Sequence, residues 1–326
     1  RHLLGCPPPV AAAAERPFLE ALERYAQDPG AGYEALVAAG QDGGWSCAGR
    51  TWSEWFELLD SPRGGRSAGA AAALQRAARD DEVCPAVAAL VAARLSTPLP
   101  AGALRARAVT LGLGRIVTPL PPQLGPALEP YLLHGDDDLS EGALNLLEQL
   151  RDEDHDLHLP IARILAREIE GVRVISTLTA LELLGRSERG VAALDEVRAE
   201  GRAALDFPWA ICAFRATGDP LALARLREAF ADASFCGGRQ GWLVESAFQV
   251  VASDPVAVQT AAPDLVSLVE RQDRHHLAAR ALQLLTGLGQ GLAPWVDRLR
   301  AAVERVEEEE LRADLLELLG QFEAGE

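Results

Sequence analysis

Seven short stretches of the chain share one pattern of apolar and polar positions. They begin at Ala108, Ala143, Ala180, Ala213, Ala247, Ala281 and Leu315, at steps of 35, 37, 33, 34, 34 and 34 residues. Each reads small residue, apolar residue, polar residue, then usually two apolar residues, as in Ala143-Leu144-Asn145-Leu146-Leu147 and Ala281-Leu282-Gln283-Leu284-Leu285. A fixed period of about 20–50 residues marks a stacked repeat array. On a helix turning about 100° per residue, the first, second, fourth and fifth positions fall on one arc and the third falls opposite. The second position is always apolar: Val109, Leu144, Leu181, Phe214, Phe248, Leu282 and Leu316. The third is always polar: Thr110, Asn145, Glu182, Arg215, Gln249, Gln283 and Glu317. The expectation is a set of helices that each bury one face between neighbours and expose one polar side chain per repeat.

Each stretch is predicted to be the second helix of a pair. The pairs are Leu157–Glu170 with Val172–Gly185, Leu221–Ala233 with Gly241–Ala252, Val256–Arg271 with His275–Gly287, and Pro294–Val306 with Glu308–Phe322. Gly218-Asp219-Pro220 and Ser253-Asp254-Pro255 are turn signals that end one helix and start the next. The chain divides accordingly. Residues 1–16 are a flexible Pro/Ala-rich lead-in, 17–69 an N-terminal helical cap rich in Trp, and 70–326 the repeat array. Within the cap, Gln41–Arg50 reads as a Gly-rich loop, and Thr51 with Glu54 reads as a capping box opening a helix. Trp52, Trp55, Phe56 and Leu59 share one face of that helix, as the core of the cap or as an aromatic pocket beside Arg50, Arg63 and Arg66. The fold class is all-α: an α-solenoid of antiparallel helix pairs.

Val172-Arg173 leading to Ala180-Leu181 and Leu184-Gly185 resembles a HEAT repeat, as does Leu277-Ala278-Ala279-Arg280-Ala281-Leu282 leading to Leu288-Gly289. The resemblance includes the bacterial PBS-lyase HEAT-like type and covers roughly residues 100–322. It implies second helices that line a concave surface, which would carry Asn145, Glu182, Arg215, Gln249 and Gln283. Tetratricopeptide repeats share the period, but their Trp, Leu-Gly and Tyr pattern is absent.

Charge sharpens the picture. The formal net charge is −17, with 31 basic and 48 acidic residues. Residues 1–120 hold 12 Arg and 12 acids, so residues 121–326 carry the whole excess, with 19 Arg against 36 acids. Phosphate neutralisation needs a basic face, which argues against nucleic acid as the ligand. A basic protein or peptide is favoured instead. Every basic residue is Arg, which points to a GC-rich genome, and Met is absent, so the chain is expected to begin after processing or inside a longer precursor. No run approaches the roughly 18 apolar residues of a membrane span.

Leu3-Leu4-Gly5-Cys6 followed by prolines resembles a bacterial lipoprotein processing site, which makes Cys6 a candidate lipid anchor. The other cysteines, Cys47, Cys84, Cys212 and Cys236, are either thiols of a cytoplasmic protein or, in an oxidising compartment, candidate disulfides pairing Cys47 with Cys84 and Cys212 with Cys236. The location stays open between cytoplasm, slightly favoured, and a periplasmic or outer-membrane lipoprotein.

Catalytic chemistry finds little purchase. His134 with Asp136, Asp137 and Asp138, and His155 and His158 with Asp152, Glu153, Asp154 and Asp156, are dense in metal-ligand types. They fall at opposite ends of the stack and read as helix-capping turns, so no metal is expected. Gly43-Gly44-Trp45-Ser46-Cys47-Ala48-Gly49 matches no nucleophile elbow. No catalytic residue and no cofactor site is assigned. The leading expectation is a protein-interaction scaffold. A small-molecule or chromophore handler of the lyase-like kind is the alternative, and a HEAT-like nucleic-acid glycosylase ranks last.

Overall fold

The computed structural model describes residues 46–47, 50–59, 70–75, 78–79, 84–97, 104–114, 117, 124–150, 157–171, 174–237, 241–271, 275–306 and 309–324. Cys6, the lead-in, the acidic residues 152–156 and the Arg63 and Arg66 connector lie outside them. The chain forms two units, 1–161 and 162–326, and the division falls inside one helix, His158–Gly171.

In the first unit, the Gly-rich loop of the sequence contains a small antiparallel ribbon. Strands β1 (Ser46–Cys47) and β2 (Arg50–Thr51) pair Ser46 with Thr51 and Cys47 with Arg50. Helix α1 (Trp52–Leu59) follows directly, with Glu54 in its first turn. Phe56 and Leu59 are buried, and the Arg94 guanidinium lies 5.8 Å from the Phe56 ring centre. Of that face, Phe56 and Leu59 are core and Trp55 is half-buried, with Arg94 beside Phe56.

Among the described residues of this unit there follow helices α2 (Cys84–Leu95), α3 (Leu104–Gly114), α4 (Leu124–Ala127), α5 (Glu129–Leu132) and α6 (Asp137–Leu150). The motif-bearing helices α3 and α6 pack on each other, α2 packs on α3, and α5 on α6. Gly114 and Gly142 permit the close approach. A Cβ on Gly142 would lie 2.8 Å from Leu111 Cβ, and one on Gly114 would run into the Leu146 side chain. Tyr131 Oη donates to the Leu95 carbonyl at 2.9 Å, satisfying one of the orphan acceptors at the end of α2.

Beyond α7 (His158–Gly171), the second unit contains α8 (Val174–Leu184), α9 (Glu188–Ala199), α10 (Asp206–Thr217), α11 (Pro220–Ala231), α12 (Ala233–Gly237), α13 (Leu243–Ala252), α14 (Pro255–Arg271), α15 (His275–Thr286), α16 (Val296–Val303) and α17 (Glu309–Ala324). Two layers emerge. The second helices stack as α8, α10, α13, α15 and α17, each on the next, and the first helices α11, α14 and α16 stack likewise. Within pairs, α9 packs on α10, α14 on α15 and α16 on α17. This is the all-α, HEAT-like arrangement of antiparallel helix pairs.

The turn signals act as their chemistry dictates. Gly218 adopts φ 67°, the left-handed conformation that ends α10. Asp219 then accepts from the Leu221 N–H at 2.9 Å, and Pro220 opens α11. Asp254 repeats the device one unit on, accepting from the Val256 N–H at 2.9 Å. At the far end of α11, Arg271 donates to the Phe230 and Ala231 carbonyls at 2.6 and 2.9 Å.

Candidate functional site

The helical pattern puts the third motif position on the side of each second helix away from its buried arc. In the second unit this holds. Gln249, Gln283 and Glu317 are exposed, and Glu182 and Arg215 are half-buried. In the first unit it does not. Asn145 is 7% exposed and Thr110 is fully buried. Residues 143–147 of α6 are all buried, so at that level the helix has no solvent face, and Asn145 is not an exposed recognition residue. A polar residue at the expected spacing does not reveal how many sides of its helix are covered.

Glu182 and Arg215 do not stand as two independent contacts. Arg215 Nη1 donates to Glu182 Oε2 across the α8–α10 interface, and Arg186 Nε lies 3.9 Å from Glu182 Oε1. Gly185 makes room for this pairing. A Cβ there would fall 2.9 Å from Arg215 Cδ, so the arginine stem crosses α8 over the bare glycine. The same interface holds Cys212, whose thiol lies 3.6 Å from the Leu181 carbonyl. Burial pushes that thiol up to about 12, against the pull of Arg215 and with a push from Glu182.

The row continues on α13 and α15. Glu245 Oε1 and His276 Nε2 lie 3.9 Å apart across that interface, and Arg280 Nη1 donates to Gln283 Oε1 at 2.9 Å. Sequence reasoning missed two members of this face. Val174 and Leu178 are each 40% exposed, and they precede Glu182 by two turns and one turn of α8, on the same stripe. Their signal was available, because apolar residues at that spacing from a solvent-facing position lie outside the buried arc.

The remaining expected residues resolve as follows. Cys212 and Cys236 are buried thiols and not a disulfide. Their sulfurs address different carbonyls, Leu181 for Cys212 and Ala229, at 3.4 Å, for Cys236. Cys84 is a buried thiol as well, so the pairing with Cys47 is not formed. Of the two acidic patches, the first is a capping turn. Asp136 Oδ1 accepts from the Leu139 N–H at 3.2 Å at the start of α6, after Gly135 at φ 80°. Among the described residues, no group of three or more His, Cys, Asp or Glu is placed to hold a metal ion. None of their helices is long and apolar enough to cross a membrane.

One cleft was not anticipated from the sequence. A cleft of about 350 Å³ opens between the α9–α10 turn and the end of α11. Phe207 and Phe235 meet there edge-to-face, with ring centres 4.6 Å apart.

No family model matches the chain, and no curated protein matches it. Among solved structures it is similar to the complex of CpcE and CpcF of phycocyanin lyase from Nostoc sp. PCC7120, with 14% sequence identity and a TM-score of 0.34, over 84% of this chain and 95% of that one.

Proposed function

We propose that this chain is a non-enzymatic scaffold that binds a basic protein or peptide across the second-helix face of residues 162–326. The observation that carries the reading is the mixed surface of that face: exposed Val174 and Leu178 beside Glu182 on α8, and exposed Gln249 and Gln283 on α13 and α15. Interfaces combine apolar anchors with a polar, solvent-accessible rim, and this face offers both on stacked helices. The acid excess of residues 121–326 favours a cationic partner by steering its encounter. No position of the repeat carries a recurring nucleophile or base, which favours recognition over reaction.

The test uses peptides selected from a random display library on the full-length chain. Selected binders should be basic and amphipathic, and Gln249→Arg and Gln283→Arg should each weaken them about tenfold, equivalent to ~1.4 kcal/mol. Leu178→Asp should weaken them further by removing an apolar anchor. Peptides that bind all three variants with wild-type affinity would place the interface elsewhere.

A further inference from the structure

We infer that the cleft between the α9–α10 turn and the end of α11 is an anchor site for an arginine side chain of a partner peptide. It is a second site, built from other residues than the second-helix face, and it stands whether or not that face binds a partner.

The shape comes first. At about 350 Å³ the cleft sits at the small end of the roughly 300–1,000 Å³ typical of ligand pockets. That suits one long side chain better than a large ligand. Ala203, Ala204 and Ala229 keep its walls low, and half-buried Phe235 supplies the aromatic wall, backed edge-to-face by the buried Phe207.

The charge is directional. Asp206, Glu228 and Asp232 line the cleft against a single guanidinium, Arg225. Arg225 already meets Glu228 at 2.7 Å, with both side chains 64% exposed, a pair that solvent leaves weak and exchangeable. Asp206 receives Arg198 at 3.3 Å. Asp232 is held as a carboxylate, because Ser234 Oγ and the Ser234 and Phe235 N–H groups all donate to its Oδ1, at 2.7, 2.8 and 3.3 Å. These bonds keep its carboxyl below the usual range. With Glu228 engaged by Arg225 and Asp206 by Arg198, the negative charge of the lining rests on Asp232, on which Arg271 acts only at a distance, and a cationic occupant is the one it favours.

Arginine, more than lysine, fits an aromatic wall beside carboxylates. Its planar guanidinium stacks on rings and bonds carboxylates with two donors at once. The chain uses that arrangement on itself. Arg298 lies 5.2 Å from the Trp295 ring centre while donating to both oxygens of Glu270 at 2.8 and 2.7 Å. Arg198 lies 4.4 Å from the Trp209 ring centre while bonded to Asp195 at 2.7 Å. The cleft presents the same two components, ring and carboxylate, to the outside.

The probe is N-acetyl-argininamide, titrated into the full-length chain with ligand-observed NMR, beside N-acetyl-lysinamide. The arginine probe should bind several-fold more tightly than the lysine probe. Asp232→Asn keeps a capping oxygen for α12 while removing the charge, and combined with Glu228→Gln it should weaken the arginine probe about tenfold. Phe235→Ala should do the same, and if that variant melts early the carboxylate pair decides alone. Gln249→Arg should leave the probe unaffected, which separates this site from the second-helix face. The proposal is overturned if wild-type chain shows no binding at 10 mM probe, if lysine and arginine probes bind equally, or if the Asp232→Asn/Glu228→Gln chain binds like wild type.

Discussion

Replacing Gly190 by alanine sets two well-measured effects against each other. Gly190 lies in the first turn of α9, and its N–H donates at 3.2 Å to the capping Ser187 Oγ. Alanine in a helix is favoured over glycine by about 0.5–1 kcal/mol, because the glycine backbone loses more freedom on folding. Propensity alone therefore predicts a gain. Packing predicts the reverse. A Cβ on Gly190 would fall 2.8 Å from both the Leu184 carbonyl carbon and its Cα, with the carbonyl oxygen nearer still. Those atoms are backbone at the end of α8 and yield only if the helix moves. Overpacking a tight contact costs about 1–3 kcal/mol, and a rigid opponent puts this case toward the top of that range. The net expectation is a loss of about 1–2 kcal/mol. At roughly 2–4 °C per kcal/mol for a unit of this size, Tm should fall by about 2–8 °C.

The assay is thermal and urea unfolding of the full-length chain by circular dichroism, with Gly320→Ala alongside. Gly320 lies in α17, and an added Cβ there meets no atom within 4 Å, so only the propensity gain of about 0.5–1 kcal/mol should remain. Opposite shifts for the two variants are required. A Gly190→Ala chain as stable as wild type, or more so, refutes the α8–α9 approach. It would also undermine the placement of Val174 and Leu178, because that contact helps fix how α8 is turned.

Three further outcomes follow from the same geometry. A double-mutant cycle of Glu182→Gln and Arg215→Gln in unfolding experiments should give a coupling of about 0.5 kcal/mol that shrinks in salt, since the pair is partly exposed; zero coupling at low salt would mean the contact is not held in solution. With its thiol pushed up to about 12, only roughly one Cys212 in ten thousand is ionised at pH 8, so iodoacetamide followed by mass spectrometry should label it in urea and leave it untouched in the folded chain. The hydrogen bond from Arg298 holds the Glu270 carboxyl below its ordinary value of 4.5. Its contribution is therefore complete above that value and lost as pH falls through the lowered one, so the stability gap between wild type and Arg298→Gln should close on acidification, and a constant gap would contradict the assignment.

The repeat period was legible because stacking imposes the same demand on every second helix. Ala143, Ala180, Ala213, Ala247, Ala281 and Leu315 open the motif and are all buried, while the first opener, Ala108, is half-buried. The turns were legible for an equally local reason: Gly218 with Asp219, and Asp254, stop and start helices through their own backbone geometry and side-chain oxygens. The burial of Asn145 was not legible, since it depends on what surrounds α6 and not on α6 itself. The cleft was not legible either. It is formed where the α9–α10 turn meets the end of α11, and Phe207 and Phe235 are brought together by packing that no periodicity encodes.

The period also carried information about recognition that a single-helix reading overlooks. Equal positions in successive repeats become neighbours when the helices stack, so opposite charges one repeat apart find each other first. Glu182 and Arg215 are separated by 33 residues and pair across α8 and α10. A polar row is then partly an internal ladder, and residues in the ladder have already spent part of their bonding capacity inside the chain. On the reading proposed above, recognition would fall to exposed Val174 and Leu178, where the pattern calls for polar side chains, and to the exposed, uncharged Gln249 and Gln283. The repeat explains why the helices stack, and under the proposed function its exposed apolar exceptions are what a partner would meet.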